Sequence, residues 1–255
     1  VLTRVISQAK RLSGPAQLNI PRDFWTQVID IDLPPIVAFE RAAGGENAIE
    51  KAAELLSNAK FPVILNGGGV VLGNAIEASK ALAEKLTAPV CCGYQHNDAF
   101  PGSHPLFAGP LGYNGSKAGM QLIAKADVVL ALGTRLNPFS TLPGYGIDYW
   151  PAEAAIIQVD INPNRIGLTK PVTVGIVGDA KKVANAILAK LSETAGDAGR
   201  AERQGIIEKT KANWERELAT MDHEEDDPGT TWNERARKRE PEKMTARMAW
   251  RAIMA

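Results

Sequence analysis

Apolar and polar residues alternate along this chain with two different periods. At the start Val1, Leu2, Val5, Ile6, Ala9 and Leu12 recur at helical spacing, with Arg4, Gln8 and Arg11 between them, and Ser13-Gly14-Pro15 ends the pattern. A short strand is expected over 16–20, followed by a turn at Pro21-Arg22-Asp23. Residues 24–45 hold Pro34, Pro35 and Gly44-Gly45 without a sustained period and read as a linker. From Glu46 the helical period returns with Ala48, Ile49, Ala52, Ala53, Leu56 and Ala59 on one face. That helix leads into Phe61-Pro62-Val63-Ile64-Leu65-Asn66, which breaks at Gly67-Gly68-Gly69 and enters a helical pattern again.

From there helix and strand alternate. Strands are expected at 88–92, 127–133, 155–161 and 172–178, with helices at about 74–86 and 117–125 and another through Leu191. The strands are apolar throughout, with no polar alternation, which requires cover on both faces. This pattern predicts an α/β fold, a doubly wound parallel sheet of about six strands. A helix over 200–220 carries a thin apolar stripe, Ile207, Trp214 and Leu218, suited to docking on a neighbour. An acidic block at 222–227 and a basic one at 235–239 flank Pro228-Gly229 and read as solvated linker. Residues 244–255 restart an amphipathic helix, and the chain is expected to continue at both ends.

Composition removes several function classes. The 255 residues suffice for one large domain with extensions, and 45% hydrophobic with 23% charged residues is ordinary for a soluble globular protein. Lys plus Arg and Asp plus Glu balance at 29 each, so no net field draws the chain to nucleic acid or an anionic membrane. No apolar run approaches the roughly 18 residues needed to span a bilayer, and no signal-peptide pattern opens the chain. The two cysteines, Cys91 and Cys92, are neighbours in an expected buried strand and should point to opposite faces, which disfavours a mutual disulfide or a shared metal. A reducing, cytoplasmic setting follows.

Candidate chemistry collects after the strands, because an open parallel sheet binds ligands beyond the carboxyl ends of its strands. Gly67, Gly68 and Gly69 permit close backbone approach, and a helix start behind them would favour an anion. The turn is not an NAD fingerprint: Leu72 stands at the third glycine position, and the next strand ends in Cys91-Cys92-Gly93 with no acid. Later strands deliver Gly133-Thr134-Arg135, Asp160-Ile161 and Gly178-Asp179 to the same rim. Arg135 could take a phosphate and the carboxylates sugar hydroxyls; equally, Asp160 and Asp179 could simply cap turns and helices. His96 and His104 sit in a Pro- and Gly-rich loop whose spacing matches no metal pattern, and Ser103-His104 has no third triad member. Before the helix at 117–125, Asn114 or Ser116 could cap, and Lys117 in the first turn would want an anion nearby.

Five landmarks in order carry a family resemblance: the Gly67-Gly68-Gly69 turn, Gly112-Tyr113-Asn114-Gly115, the run Ala126 to Arg135, Ile157-Gln158-Val159-Asp160-Ile161-Asn162-Pro163, and Gly178-Asp179-Ala180. Together they resemble the central domain of thiamine-diphosphate enzymes related to acetolactate synthase, a Rossmann-like, DHS-like nucleotide-binding fold. Gly14-Pro15 through Asp23 is similar to the end of that family's pyrimidine-binding domain, and Lys243-Met244-Thr245-Ala246-Arg247 to the start of its diphosphate-binding domain. The resemblance thus divides the chain into 1–23, the linker 24–45, the central domain 46–195, a charged helix and linker 196–243, and 244–255.

Within the family, Ile20-Pro21-Arg22-Asp23-Phe24-Trp25, the stretch Cys91 to Phe100 and the stretch Leu136 to Tyr145 most resemble a branch acting in taurine and sulfonate breakdown. That branch converts sulfoacetaldehyde and phosphate to acetyl phosphate and sulfite. The resemblance implies thiamine diphosphate and Mg2+ in a longer, homo-oligomeric parent with small-molecule substrates. The family's activating glutamate and its Gly-Asp-Gly…Asn motif have no counterpart here, so no catalytic residue is assigned. By the same resemblance Gly67, Gly68, Gly69, Gly133, Arg135, Asp160, Ile161 and Asp179 map to positions that contact FAD or ADP in nucleotide-binding relatives. Leu136-Asn137-Pro138 replaces the acidic residues that flavin-binding members carry there. An acetolactate-synthase-like or oxalyl-CoA-decarboxylase-like enzyme, and a non-catalytic nucleotide-binding or structural module, are the alternatives.

Overall fold

Each of the five expected apolar runs becomes a strand in the computed structural model, which describes residues 1–12, 14–32, 40–112 and 115–220; four are buried throughout or nearly so, while the edge strand at 174–177 alternates buried and exposed residues. Pro34 and Pro35, Tyr113 and Asn114, the charged blocks at 222–239 and the helix expected at 244–255 lie outside the described residues. The strands are β1 (Pro62–Asn66), β2 (Val90–Cys92), β3 (Phe107–Pro110), β4 (Val128–Leu132), β5 (Ala155–Asp160) and β6 (Val174–Val177). They form one sheet in the order β3-β2-β1-β4-β5-β6, and every neighbouring pair is parallel. The expected doubly wound sheet of about six strands is therefore present, with its order reversing between β1 and β4.

The helices are α1 (Leu2–Leu12), α2 (Glu46–Asn58), α3 (Gly68–Leu72), α4 (Ile76–Leu86), α5 (Lys117–Ile123), α6 (Ala180–Lys190) and α7 (Arg200–Thr220). On one face of the sheet Ile49, Leu56, Leu82, Leu86, Val183 and Ile187 from α2, α4 and α6 pack on Ile64, Leu130, Ile157 and Val159. On the other, Met120, Leu122 and Ile123 of α5 and Ile207 of α7 pack on Val63, Leu65, Val129 and Ala131. Successive strand residues thus serve opposite layers.

Cys91 and Cys92 obey the same alternation, Cys91 joining the α5 layer and Cys92 the α4 layer. Both thiols are free and buried; burial pushes the Cys92 thiol up to about 12 and raises that of Cys91 further. A thiol held protonated is a poor nucleophile. Neither cysteine should react with a thiol reagent at pH 8 in the native state, and both should react once the chain is unfolded in denaturant. Rapid native-state labelling would show that β2 opens.

One local expectation fails, and one strand arises where none was expected. Residues 16–20 form no strand, because no neighbouring strand pairs with them and Ile20 stays exposed. β3 has no sequence signal of its own, being four residues long with Gly109 and Pro110 inside it. Pro110 is tolerated because β3 is an edge strand with one ladder to make. The expected docking of the 200–220 helix does occur: α7 lies on α5, and Lys117 Nζ meets Glu217 Oε1 at 2.8 Å. That carboxylate supplies the anion whose need Lys117 signalled, so Lys117 points to no ligand. Ser116 is the cap, its Oγ accepting from Gly119 N at 3.2 Å.

Candidate cleft at the carboxyl edge of the sheet

The reversal of strand order between β1 and β4 brings two glycine turns face to face. Gly67 N donates to Leu132 O at 3.0 Å and Gly69 N to Gly133 O at 2.8 Å, while Val70 N closes onto Gly67 O at 3.0 Å. A Cβ on Gly67 would stand 2.5 Å from Gly133 O, and one on Gly69 2.7 Å from Gly133 Cα. These glycines are required because two backbones touch, a role separate from ligand approach. The expected anion cradle is also weaker than its sequence suggested. α3 has only five residues before Gly73 and Asn74, the latter with φ +50°, break it, and two of its amides are already spent. So short a helix carries little of the dipole that a longer one would aim at the turn.

Gly68 faces the loop after β2. His96 packs directly on it, with the imidazole Cε1 and Nε2 2.7 Å from where a Cβ would sit. Beside this contact opens a cleft of about 190 Å³ between Tyr94, His96, Arg135, Asn137, Asp160 and Arg165. A smaller space of about 60 Å³ adjoins it towards Arg41, Ile161 and Asp179. Of the eight rim residues expected from sequence, Gly68, Gly69, Gly133, Arg135, Asp160, Ile161 and Asp179 line these spaces; Gly67 is buried in the turn.

Both carboxylates do structural work. Asp179 caps α6, its Oδ1 accepting from Lys181 N at 3.1 Å and Lys182 N at 3.3 Å, and its Oδ2 pairs with Arg41 Nη1 at 3.1 Å. Asp160 is 5% exposed, and its Oδ1 accepts from Asn162 N at 2.8 Å. Burial lifts the Asp160 carboxyl above the usual range, opposed by the Asn162 amide and then by the Arg165 and Arg135 charges.

Gln158 is the residue that sequence reasoning left without a role. It is 1% exposed within β5; its Nε2 donates to Thr134 O and Arg165 O, both at 3.1 Å, and its Oε1 accepts from Gly167 N at 2.8 Å. One buried amide thereby ties together the loops that carry Arg135 and Arg165. The available signal was a lone polar residue inside Ile156-Ile157-Gln158-Val159, which burial must satisfy with hydrogen bonds. The loop after β4 is fixed further by Tyr149 OH, which donates to Ser140 O at 3.0 Å, and by Tyr94 N, which donates to Ser140 Oγ at 3.0 Å. Within it Leu136 takes φ +52° although it is branched and 1% exposed. Such backbone is held only where the surroundings over-determine it.

His104 belongs elsewhere. Its Nδ1 accepts from Leu106 N at 3.2 Å, which leaves Nε2 to carry the proton towards Glu84 Oε1 at 3.2 Å. Among the described residues no group of three or more His, Cys, Asp or Glu is placed to hold a metal ion.

Residues 49–187 match the family described as thiamine pyrophosphate enzyme, central domain. Over all 255 residues the chain is 75% identical to sulfoacetaldehyde acetyltransferase of Roseovarius nubinhibens and 72% identical to a probable sulfoacetaldehyde acetyltransferase of Rhizobium meliloti. It spans only 42% and 43% of the lengths of those relatives. Among solved structures, benzoylformate decarboxylase from Polynucleobacter necessarius superposes with a TM-score of 0.59 at 25% identity, over 70% of this chain and 33% of that one. A parallel sheet in this strand order, its glycine turns at the reversal and a match across the whole central unit agree: the chain belongs to the thiamine pyrophosphate enzymes and carries their central domain.

Proposed function

We propose that this chain is the central part of an enzyme that converts sulfoacetaldehyde and phosphate to acetyl phosphate and sulfite. The observation that carries the reading is identity above 70% along the entire chain to relatives bearing that acetyltransferase name, of which it spans less than half. In this reading 1–23 and 244–255 adjoin the flanking pyrimidine- and diphosphate-binding domains, and 24–45 and 196–243 connect them to the central one. The parent would be a cytoplasmic homo-oligomer of sulfonate breakdown.

Thiamine diphosphate and Mg2+ would supply the carbonyl chemistry from those other domains. The chain has no Gly-Asp-Gly, and its described residues present no metal-ligand cluster, so the residues here do not fit that cofactor and no step through it is assigned to them. The cleft does not fit FAD either. His96 sits on Gly68, the amides of Gly67 and Gly69 are bonded within the fold, and about 190 Å³ is less than the roughly 300–1,000 Å³ that small-molecule pockets usually offer. What this chain contributes is a rigid rim between two catalytic domains.

The test is made on the longer protein, supplied with sulfoacetaldehyde, thiamine diphosphate and Mg2+. Sulfite release that depends on phosphate, with acetyl phosphate formed in equal amount, is expected. Acetolactate formation from pyruvate, without sulfite release from sulfoacetaldehyde, would move the protein to the acetolactate synthase branch.

A further inference from the structure

We propose that the larger lobe of the cleft is a binding site for a small tetrahedral oxyanion, a sulfonate or inorganic phosphate, held by Arg135 and Arg165. The inference rests on the reaction proposed above for its choice of anions, but its geometry stands independently.

Both arginines line the cleft, and neither guanidinium donates a hydrogen bond or forms an ion pair with any described residue. Elsewhere in the fold Arg200 pairs with Asp197 at 2.6 Å and Arg203 is saturated with carbonyls, whereas Arg135 and Arg165 act on Asp160 only through their charge. The pair is held in place through its backbone: Gln158 ties the carbonyls of Thr134 and Arg165, and Leu136 is kept in a left-handed conformation directly after Arg135. With the backbone fixed, only side-chain freedom is lost when each rigid planar fork closes on an oxyanion. Asp160 is the carboxylate facing the same space, and one of its oxygens is already taken by Asn162 N. Two guanidinium charges against that single carboxylate leave the lobe positive.

Size and shape select the ligand. His96 covers Gly68 and closes the route along the glycine turn that a pyrophosphate would need. A lobe of about 190 Å³ therefore admits a single anionic group and excludes a dinucleotide. Sulfonate and phosphate share the tetrahedral oxygens that an arginine fork recognises.

The full chain is titrated at low ionic strength with inorganic phosphate and, separately, with 2-hydroxyethanesulfonate, by calorimetry and by phosphorus NMR. Saturable binding of at least one is expected, weakened about tenfold by Arg135→Gln or by Arg165→Gln, since a charge-assisted hydrogen bond is lost. Arg135→Lys should recover part of the affinity. Circular dichroism and thermal melting confirm that each variant is folded. Competition identifies the source: selectivity for phosphate marks the acceptor's position, and selectivity for the sulfonate marks the substrate's. Absence of saturable binding by either anion overturns the proposal. So does binding that is unchanged in the Arg135→Gln, Arg165→Gln double variant, or FAD binding more tightly than either anion with His96 in place. Failure of the acetyltransferase reading is separate, because it is read as absent sulfite release in the longer protein.

Discussion

Replacing Arg203 by methionine is expected to destabilise the folded chain by about 4 kcal/mol, through buried carbonyls stripped of their donor at roughly 1–3 kcal/mol each. Arg203 is 1% exposed, and all five of its N–H groups are used. Nε donates to Thr87 O at 3.1 Å; Nη1 to Lys60 O at 3.0 Å and Ala198 O at 2.9 Å; Nη2 to Leu86 O at 2.9 Å and Gly196 O at 2.5 Å. The guanidinium thus closes the carboxyl end of α4, holds the entry to β1 and fastens the 196–198 loop beneath α7. Among the described residues no carboxylate forms an ion pair with it, although Asp127 lies near enough to act through its charge, so five neutral dipoles provide most of the solvation. A groove of about 680 Å³ runs beside the site, letting water reach part of it, which keeps the loss below the sum over all five carbonyls. A fall in melting temperature on the order of 10 °C should accompany the substitution. Arg203→Lys should recover only a fraction, because an ammonium offers three donors and lacks the fork. An unchanged urea midpoint for Arg203→Met would show that α7 is held by its apolar face alone.

Gly133→Ala is expected to cost about 3 kcal/mol, joining a left-handed backbone penalty of roughly 1–2 kcal/mol to an overpacking term of similar size. Gly133 has φ +61°, and a Cβ there would lie 2.8 Å from Gly69 Cα, Gly69 C and Val70 N. Those are backbone atoms, so no rotamer change relieves the contact and the two turns must separate. The expected readouts are a lower denaturation midpoint and faster exchange of the Gly69 amide, whose acceptor is Gly133 O. Gly146→Ala is the control: its φ is +70°, but nothing lies within 4 Å of the added methyl, so only the backbone penalty applies. Equal losses for the two variants would show that close contact at the strand reversal is unimportant.

The two substitutions probe opposite ends of the sheet. Arg203 fastens the layer beneath the amino ends of the strands, whereas Gly133 sets the spacing at the carboxyl edge where the cleft opens. Damage at Arg203 should therefore lower stability while leaving anion affinity in the surviving folded fraction unchanged. Damage at Gly133 should lower both.

The sequence by itself determined the sheet and its layers. Unalternating apolar runs such as 127–133 can be satisfied only by cover on both faces, and the helical stripes at 46–59 and 180–190 supply that cover, so local pattern and global fold agree. It also placed Arg135, Asp160 and Asp179 on one rim, because in a parallel sheet every strand ends on the same side. What only the tertiary structure decided depends on partners far apart in the chain. β3 exists because β2 offers it a ladder, while residues 16–20, whose local pattern is the more strand-like, find none. Asp179 became a helix cap and the partner of Arg41, and Lys117 met Glu217, 100 residues away. Gln158, Arg203 and the seat of His96 on Gly68 carry no periodic signal, since a buried hydrogen bond or a backbone contact is defined by what lies opposite it in space.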